Sequence, residues 1–185
     1  RLCTIRNQNI RRVYDPACGS GSLLLKFAKT IGKSNPNLQY YGQEINPSTY
    51  NLCRINMFLH GITFDNFDIE LGDTLTEPKH LDMDFDAIVS NPPYITESEK
   101  AAMEANVLDW EPATALFVPD ADPLLFYRKI AELGTVMLKE GGSLYFEINR
   151  AYGNETVQMM EDLGYKQIEL RKDDWGNDRM IKAVR

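Results

Sequence analysis

The chain has 185 residues, 43% of them hydrophobic, and a formal net charge of −7. That is the size of one domain with a sizeable core, with apolar runs too short for a membrane span and no charged-then-apolar opening of the kind a secretory signal has. Residues 1–90 carry 9 basic and 10 acidic side chains and residues 91–185 carry 11 and 17, which disfavours a protein that grips nucleic acid by itself, since that needs a basic stripe.

Arg12 to Asp15 reads as the end of a first strand. A glycine turn follows, then a helix from about Ser20 to Ile31 with Leu24, Ala28 and Ile31 on one face. Leu38 to Ile45 is a second strand. Asn46-Pro47 supplies an N-cap and a proline at the first helical position, and that helix runs to about His60 and stops at Gly61. Phe67 to Leu71 is a third strand and Phe85 to Ser90 a fourth, whose Ala87-Ile88-Val89 run suits burial on both faces. Residues 95–119 are irregular, with a short helix expected around Glu97–Asn106. Pro123 to Lys139 is a long helix closed by Gly141-Gly142. Leu144 to Ile148 is a fifth strand, and Glu155 to Leu163 a helix ended by Gly164. Gln167 to Leu170 and Met180 to Val184 are the last strands, joined as a hairpin by the turn residues 174–178. Alternation of strand and helix predicts one α/β domain over 1–185, with a mainly parallel sheet.

Three strand ends carry an acid beside a turn. In Asp15-Pro16-Ala17-Cys18-Gly19-Ser20-Gly21, Gly19 and Gly21 let the backbone turn sharply and a ligand come close. A dinucleotide fingerprint would require glycine at position 24, where Leu24 stands. A cofactor without phosphate, S-adenosylmethionine, fits this turn. Ala17 and the glycines would border its methionine part, and Asp15 would lie near its cationic amino group. The alternative is a turn that merely packs helix on strand. Glu44, at the end of the second strand, can accept hydrogen bonds from both ribose hydroxyls, each worth about 1.5–3 kcal/mol, with Ile45 over one adenine face. Asp73, in Gly72-Asp73-Thr74, can accept from the adenine amino group, with Thr74 beside it. Each of these two acids has an ordinary reading as well, a strand-end glutamate and a turn aspartate.

Asn91-Pro92-Pro93-Tyr94 follows the fourth strand. The Asn91 side-chain oxygen and the Pro92 carbonyl can each accept one N–H of a weakly nucleophilic nitrogen. That aims its lone pair at a methyl carbon and stabilises the charge it develops. Asn91 would thereby border acceptor and cofactor alike. Pro92 and Pro93 stiffen the turn, and the Tyr94 ring offers a face to a planar adenine or amide. Without these partners the motif is a proline turn that ends a strand.

Two families share these motifs. Val13 to Leu24, Tyr41 to Asn46, Asn51 to Met57 and Gly72 to Leu75 resemble the methyltransferase subunit of type I restriction-modification systems. Those subunits methylate the exocyclic amine of adenine in DNA, with a separate specificity subunit reading the DNA. From Asn91 on, Glu97 to Glu104, Trp110 to Phe117, Pro123 to Tyr127, Phe146 to Asn149 and Gly176 to Arg179 resemble the release-factor glutamine methyltransferase. That family methylates the amide of a Gly-Gly-Gln loop in peptide-chain release factors. Both carry the tetrapeptide. The resemblances imply a Rossmann-like methyltransferase fold with seven strands, one antiparallel, using S-adenosylmethionine and releasing S-adenosylhomocysteine. They also imply a hybrid with its seam near residues 86–94, an engineered chimera, lacking the N-terminal helical region of both families and with weakened or lost activity.

Cys3, Cys18 and Cys53 are odd in number and irregularly spaced, and His60 and His80 are the only histidines. Neither a disulfide framework nor a metal site is expected, and a reducing cytoplasm is the simple location. Three functions are therefore open: a protein-glutamine methyltransferase, a DNA adenine methyltransferase working with a DNA-reading partner, or a folded hybrid without turnover.

Overall fold

The structure is a computed structural model and describes residues 10–32, 35, 37–102 and 116–185. In chain order the elements are β1 (Arg12–Asp15), α1 (Ser22–Ile31), β2 (Gln39–Glu44), α2 (Pro47–Leu59), β3 (Phe67–Leu71), β4 (Phe85–Ser90), β5 (Ile95–Thr96), β6 (Phe117–Val118), α3 (Leu125–Met137), β7 (Leu138–Glu147), α4 (Gly153–Asp162), β8 (Lys166–Lys172) and β9 (Asp178–Val184). Seven strands form one sheet in the order β3-β2-β1-β4-β7-β9-β8. All neighbours pair in parallel except β9, which is antiparallel to both β7 and β8. This is the α/β arrangement with a C-terminal antiparallel hairpin that the strand pattern and the resemblances imply.

The order reverses between β1 and β4, and such a switch point leaves a crevice beyond the carboxyl ends of the strands. Two apolar layers hold the sheet. Val13, Ala87 and Val89 pack with Leu24, Phe27 and Ile31 of α1 and with Cys53 and Met57 of α2. Their neighbours Tyr14, Ile88, Leu144 and Phe146 point the other way, against Tyr127 and Ile130 of α3 and Met160 of α4. The alternation is the two-residue period of a strand, and helices on both faces explain why β4 is apolar throughout. Gln43 and Asp86 show how polar groups inside are held. Gln43 is fully buried, and its amide oxygen accepts from the Tyr14 hydroxyl (3.1 Å) and the Lys79 N–H (2.9 Å). Asp86 accepts from the backbone N–H groups of Arg11 (2.8 Å) and Arg12 (2.9 Å) and from Lys139 Nζ (2.7 Å). These bonds outweigh its partial burial and hold its carboxyl below the usual range.

Several boundaries differ from the sequence reading. The helix after the glycine turn begins at Ser22 rather than Ser20, because Gly21 is its N-cap in the left-handed region (φ 82°). Gly141-Gly142 does not close the long helix. That helix ends at Met137, and β7 starts at once at Leu138. The pairing of β7 with β4 jumps from Phe85↔Leu138 to Ala87↔Ser143, and Gly141 (φ 75°) supplies the turn of this bulge. The bulge is held by the chain end, since Arg185 N donates to the Gly142 carbonyl (3.0 Å). β5 and β6 form a separate two-stranded parallel sheet that periodicity does not announce. Glu97–Ala102 is a 3₁₀ turn, and the rest of the helix expected to Asn106 lies outside the described residues. Residues 110–115 of the Trp110–Phe117 motif, Cys3, Arg1 and Arg6 lie outside them as well.

Gly21 also makes room. A Cβ there would stand 2.8 Å from Cys53 Sγ, in a backbone conformation that side chains rarely adopt. Gly21→Ala should therefore lower stability by about 2 kcal/mol, read as a smaller urea midpoint at unchanged slope.

Candidate functional site

The segments leaving the carboxyl ends of β1, β2, β3 and β4 line one cleft of about 1060 Å³. That is the size of a small-molecule site. Asp15, Ala17 and Gly19 come from the first turn, Glu44 and Ile45 from the second, Asp73 and Thr74 from the third, and Asn91 and Pro93 from the fourth. Residues far apart in the chain thus face one space.

Asp15 is 1% exposed. Burial pushes its carboxyl up to about 7, and the Glu44 charge adds to the rise. The Ala17 N–H, donated to Asp15 Oδ1 at 3.1 Å, opposes it. The buried Ser90 hydroxyl lies near enough to favour the charge, though not in ordinary hydrogen-bond geometry. A buried acid with so few donors is short of a cationic partner.

Glu44 is fixed by the backbone around it. Its Oε2 accepts from Gly19 N (3.0 Å) and its Oε1 from Asn46 N (2.8 Å), which ties the first turn to the second. Each oxygen keeps a lone pair for a ligand hydroxyl. Asn46 in turn caps α2, accepting from Ser48 N (2.9 Å) and Thr49 N (3.1 Å). Asp73 Oδ1 accepts from Leu75 N (2.9 Å) and Oδ2 from Thr76 Oγ1 (3.0 Å), the bonding of a turn aspartate. Thr74 is buried and donates its hydroxyl to the Pro16 carbonyl, so it clasps the first and third turns together. Ile45 is 50% exposed although apolar, and its surface faces the cleft.

The tetrapeptide divides. Asn91 is exposed and Pro93 half-buried, and both line the cleft, whereas Pro92 is buried. Tyr94 does not line it. Its ring packs on the α3–α4 side of the core and borders a second cavity of about 880 Å³ with Ser90, Glu147 and Arg179. Burial pushes its phenol up, Glu147 adds to this, and Arg179, which shares a hydrogen bond with it, opposes it. The aromatic faces of the cleft near Asn91 are instead Phe117 and Phe126, with Leu116 and Leu125.

Asn149 is a part of the site that the motif reading did not find. It is 5% exposed, and its Nδ2 donates to the Tyr94 carbonyl (3.0 Å) and to Glu99 Oε2 (2.9 Å). Its Oδ1 accepts from Ala151 N (2.9 Å), and its N–H donates to the Tyr127 hydroxyl (3.1 Å). Glu99 Oε2 also accepts from Thr96 N and Thr96 Oγ1, each at 2.9 Å. Ser98 donates to Asp120 Oδ1 through its N–H (3.0 Å) and hydroxyl (2.8 Å). The tetrapeptide is thus tied to the β5–β6 pair that carries Phe117. Its signals in the sequence were its place in the Phe146–Asn149 segment of the resemblance and its position directly after a buried strand; neither assigned it a role. Asn149→Ala leaves the Tyr94 carbonyl and Glu99 short of a donor. It should cost about 1–3 kcal/mol of stability, measured by urea unfolding.

The N-6 DNA methylase family profile matches residues 2–126. The chain belongs to that family. It is 42% identical over its full length to the release factor glutamine methyltransferase of Bacteroides thetaiotaomicron, of which it covers 64%. It is 50% identical over 103 residues to the MpnII type I restriction enzyme methylase subunit of Mycoplasma pneumoniae, an alignment covering 51% of this chain and 19% of that one. Among solved structures, the type I restriction-modification methyltransferase subunit of Streptococcus thermophilus superposes with a TM-score of 0.61 at 24% identity. That superposition covers 97% of this chain and 40% of that one, and it shows a shared fold. The chain therefore spans less than two thirds of the relatives it matches. Among the described residues no cluster of three His, Cys, Asp or Glu side chains is arranged for a metal, and no helix is long and apolar enough to cross a membrane.

Proposed function

We propose that the chain is the catalytic domain of an S-adenosylmethionine-dependent N-methyltransferase whose acceptor is a glutamine side-chain amide of a peptide-chain release factor. The observation that carries this is one cleft lined together by a buried acid, two further strand-end acids and Asn91. Asp15, short of a cation, suits the amino group of the cofactor's methionine part. Gly19, with positive φ (53°), lines the cleft and would lie low against it, while Gly21 (φ 82°) shapes the turn from behind, against Cys53. Glu44 suits the ribose hydroxyls and exposed Ile45 an adenine face. Asp73 keeps free lone pairs for the adenine amine, although its own turn engages both oxygens.

Bound there, the cofactor would supply an electrophilic methyl group on a sulfonium. The protein's task is to orient the nitrogen that takes it. Asn91 Oδ1 and the Pro92 carbonyl would each accept one amide N–H, holding the lone pair along the transfer axis. Phe117 and Phe126 would shield the apolar stem of the acceptor from water. Full-length similarity to the release-factor enzymes supports the glutamine acceptor, and so does the net charge of −7. Two free, buried cysteines suit a reducing cytoplasm.

A second reading has an observation of its own. Identity to the type I methylase subunit reaches 50% over about half the chain, above the 42% to the release-factor enzyme. On this reading the acceptor is a DNA adenine presented by a specificity subunit, and the chain is a hybrid with its seam near 86–94 in a single domain. Methyl-labelled S-adenosylmethionine should be offered to a release factor with a Gly-Gly-Gln loop and, separately, to adenine-containing DNA. Label in the glutamine supports the first reading, and label only in DNA selects the second. Calorimetry that detects no binding at millimolar S-adenosylmethionine would overturn the cofactor assignment and leave a folded hybrid without turnover.

A further inference from the structure

The floor of the cleft holds two thiols that nothing above uses. Cys18 lies in the first turn and lines the cleft, and Cys53 lies in α2 behind it. Their sulfurs are 3.9 Å apart, with 5% and 0% of the residues exposed. Two glycines clear the space in which they meet. A Cβ on Gly42 would stand 3.0 Å from Cys18 Sγ, and one on Gly21 2.8 Å from Cys53 Sγ. We propose that Cys18 and Cys53 form a reversible disulfide under a hydroperoxide, and that this bond displaces the turn that lines the cofactor end of the cleft.

The chemistry needs one two-electron oxidant. The Cys18 thiol, the one reachable from the cleft, loses its proton and attacks a peroxide oxygen. The O–O bond breaks, one water leaves, and Cys18 carries a sulfenic acid. Cys53 sulfur then displaces that oxygen as a second water and the S–S bond forms. Two thiols and one hydrogen peroxide give one disulfide and two waters. The sulfurs must approach from 3.9 Å to about 2.05 Å. That shifts the Cys18 turn, whose next residue, Gly19, donates its N–H to the Glu44 carboxylate (3.0 Å). The neighbouring Cys53 and then burial hold the Cys18 thiol well above its ordinary range, so the reaction is slow near neutrality and quickens with pH.

Bond formation is independent of the function proposed above, and only its effect on cofactor binding rests on that reading. The test uses the full chain with Cys3→Ser, so that two thiols remain. After hydrogen peroxide, intact mass should fall by two hydrogens, and a peptide map should join the Cys18 and Cys53 peptides. Dithiothreitol should reverse both, and Cys53→Ser should abolish the loss. S-adenosylmethionine affinity, measured by calorimetry on the reduced and oxidised protein, should fall on the order of tenfold or more on oxidation. Two alkylatable thiols after prolonged peroxide at alkaline pH, or a bridge only between chains, would overturn the site. An intramolecular bridge with unchanged affinity would overturn its effect on the cleft. Absence of binding even when reduced would be a failure of the cofactor assignment, distinguishable because the mass loss stands without it.

Discussion

Asn91→Ala is expected to lower methyl transfer by roughly 10²–10³-fold in kcat while leaving the fold and S-adenosylmethionine affinity within a small factor of the parent. Asn91 is exposed on the cleft wall, so its truncation opens no cavity in the core. What it removes is the acceptor for one N–H of the reacting amide. An amide nitrogen is a poor nucleophile because its lone pair is delocalised into the carbonyl. Positive charge grows on it only as the methyl arrives, so a hydrogen bond accepted by Asn91 strengthens toward the transition state. The loss should therefore fall on kcat more than on the KM of either substrate. Single-turnover transfer with labelled cofactor reads this directly, and undiminished turnover would remove Asn91 from the role. A loss confined to KM would make it a binding residue only.

The parts of this site that were legible in the sequence are those with a local cause. β3 and β4 have the bounds read from their residues, because apolar side chains in a buried strand are bracketed by turn residues. The start of α2 is legible because Asn46 caps it and Pro47 fits its first turn. The acids at three strand ends meet in one cleft because a parallel sheet sends all its carboxyl ends to one side. Less legible were features with a tertiary cause. β5 and β6 are two residues each and pair across a long insertion, which leaves no periodicity to read. The Gly141-Gly142 pair looks like a helix stop, but its role depends on Arg185 lying beside it. Tyr94 is the instructive residue. A turn with two prolines changes direction at each step, so neighbours in sequence need not share a space. Asn91 faces the cleft, while the Tyr94 ring faces Arg179 and Glu147. The Asn149 clasp that holds this turn comes from just beyond β7, and spacing along the chain cannot show it.

At pH 8 Asp15→Asn is expected to be the more stable protein and the poorer binder of S-adenosylmethionine. The Asp15 carboxyl is raised from 3.8 to about 7 by burial. Below about pH 4 it is neutral in the folded and unfolded chains alike, and it costs nothing. As pH rises toward 7 the unfolded chain ionises while the folded one keeps its proton, so stability is lost. Above pH 7 both are ionised and the loss is complete, about 4 kcal/mol at one pH unit per 1.4 kcal/mol. Asparagine has no such proton to lose, and its amide oxygen can still accept the Ala17 N–H. The variant should thus gain on the parent as pH rises from 5 to 8, by up to about 3 kcal/mol of that loss, in urea unfolding. Binding should move the other way. A cationic amino group beside Asp15 stabilises the charged form and draws its pKa down, so binding below pH 7 releases a proton. Affinity of the parent should then rise by up to about tenfold per pH unit between pH 5 and 7 and level off above it. The variant should show neither the slope nor the affinity, losing about 1.5–3 kcal/mol of charge-assisted bonding at pH 8. A parent whose stability and cofactor affinity are the same at pH 5 and pH 8 would mean that Asp15 is already ionised at the lower pH. The cleft would then hold its charge ready without a ligand, and the acid would owe nothing to the cation that its burial makes it lack.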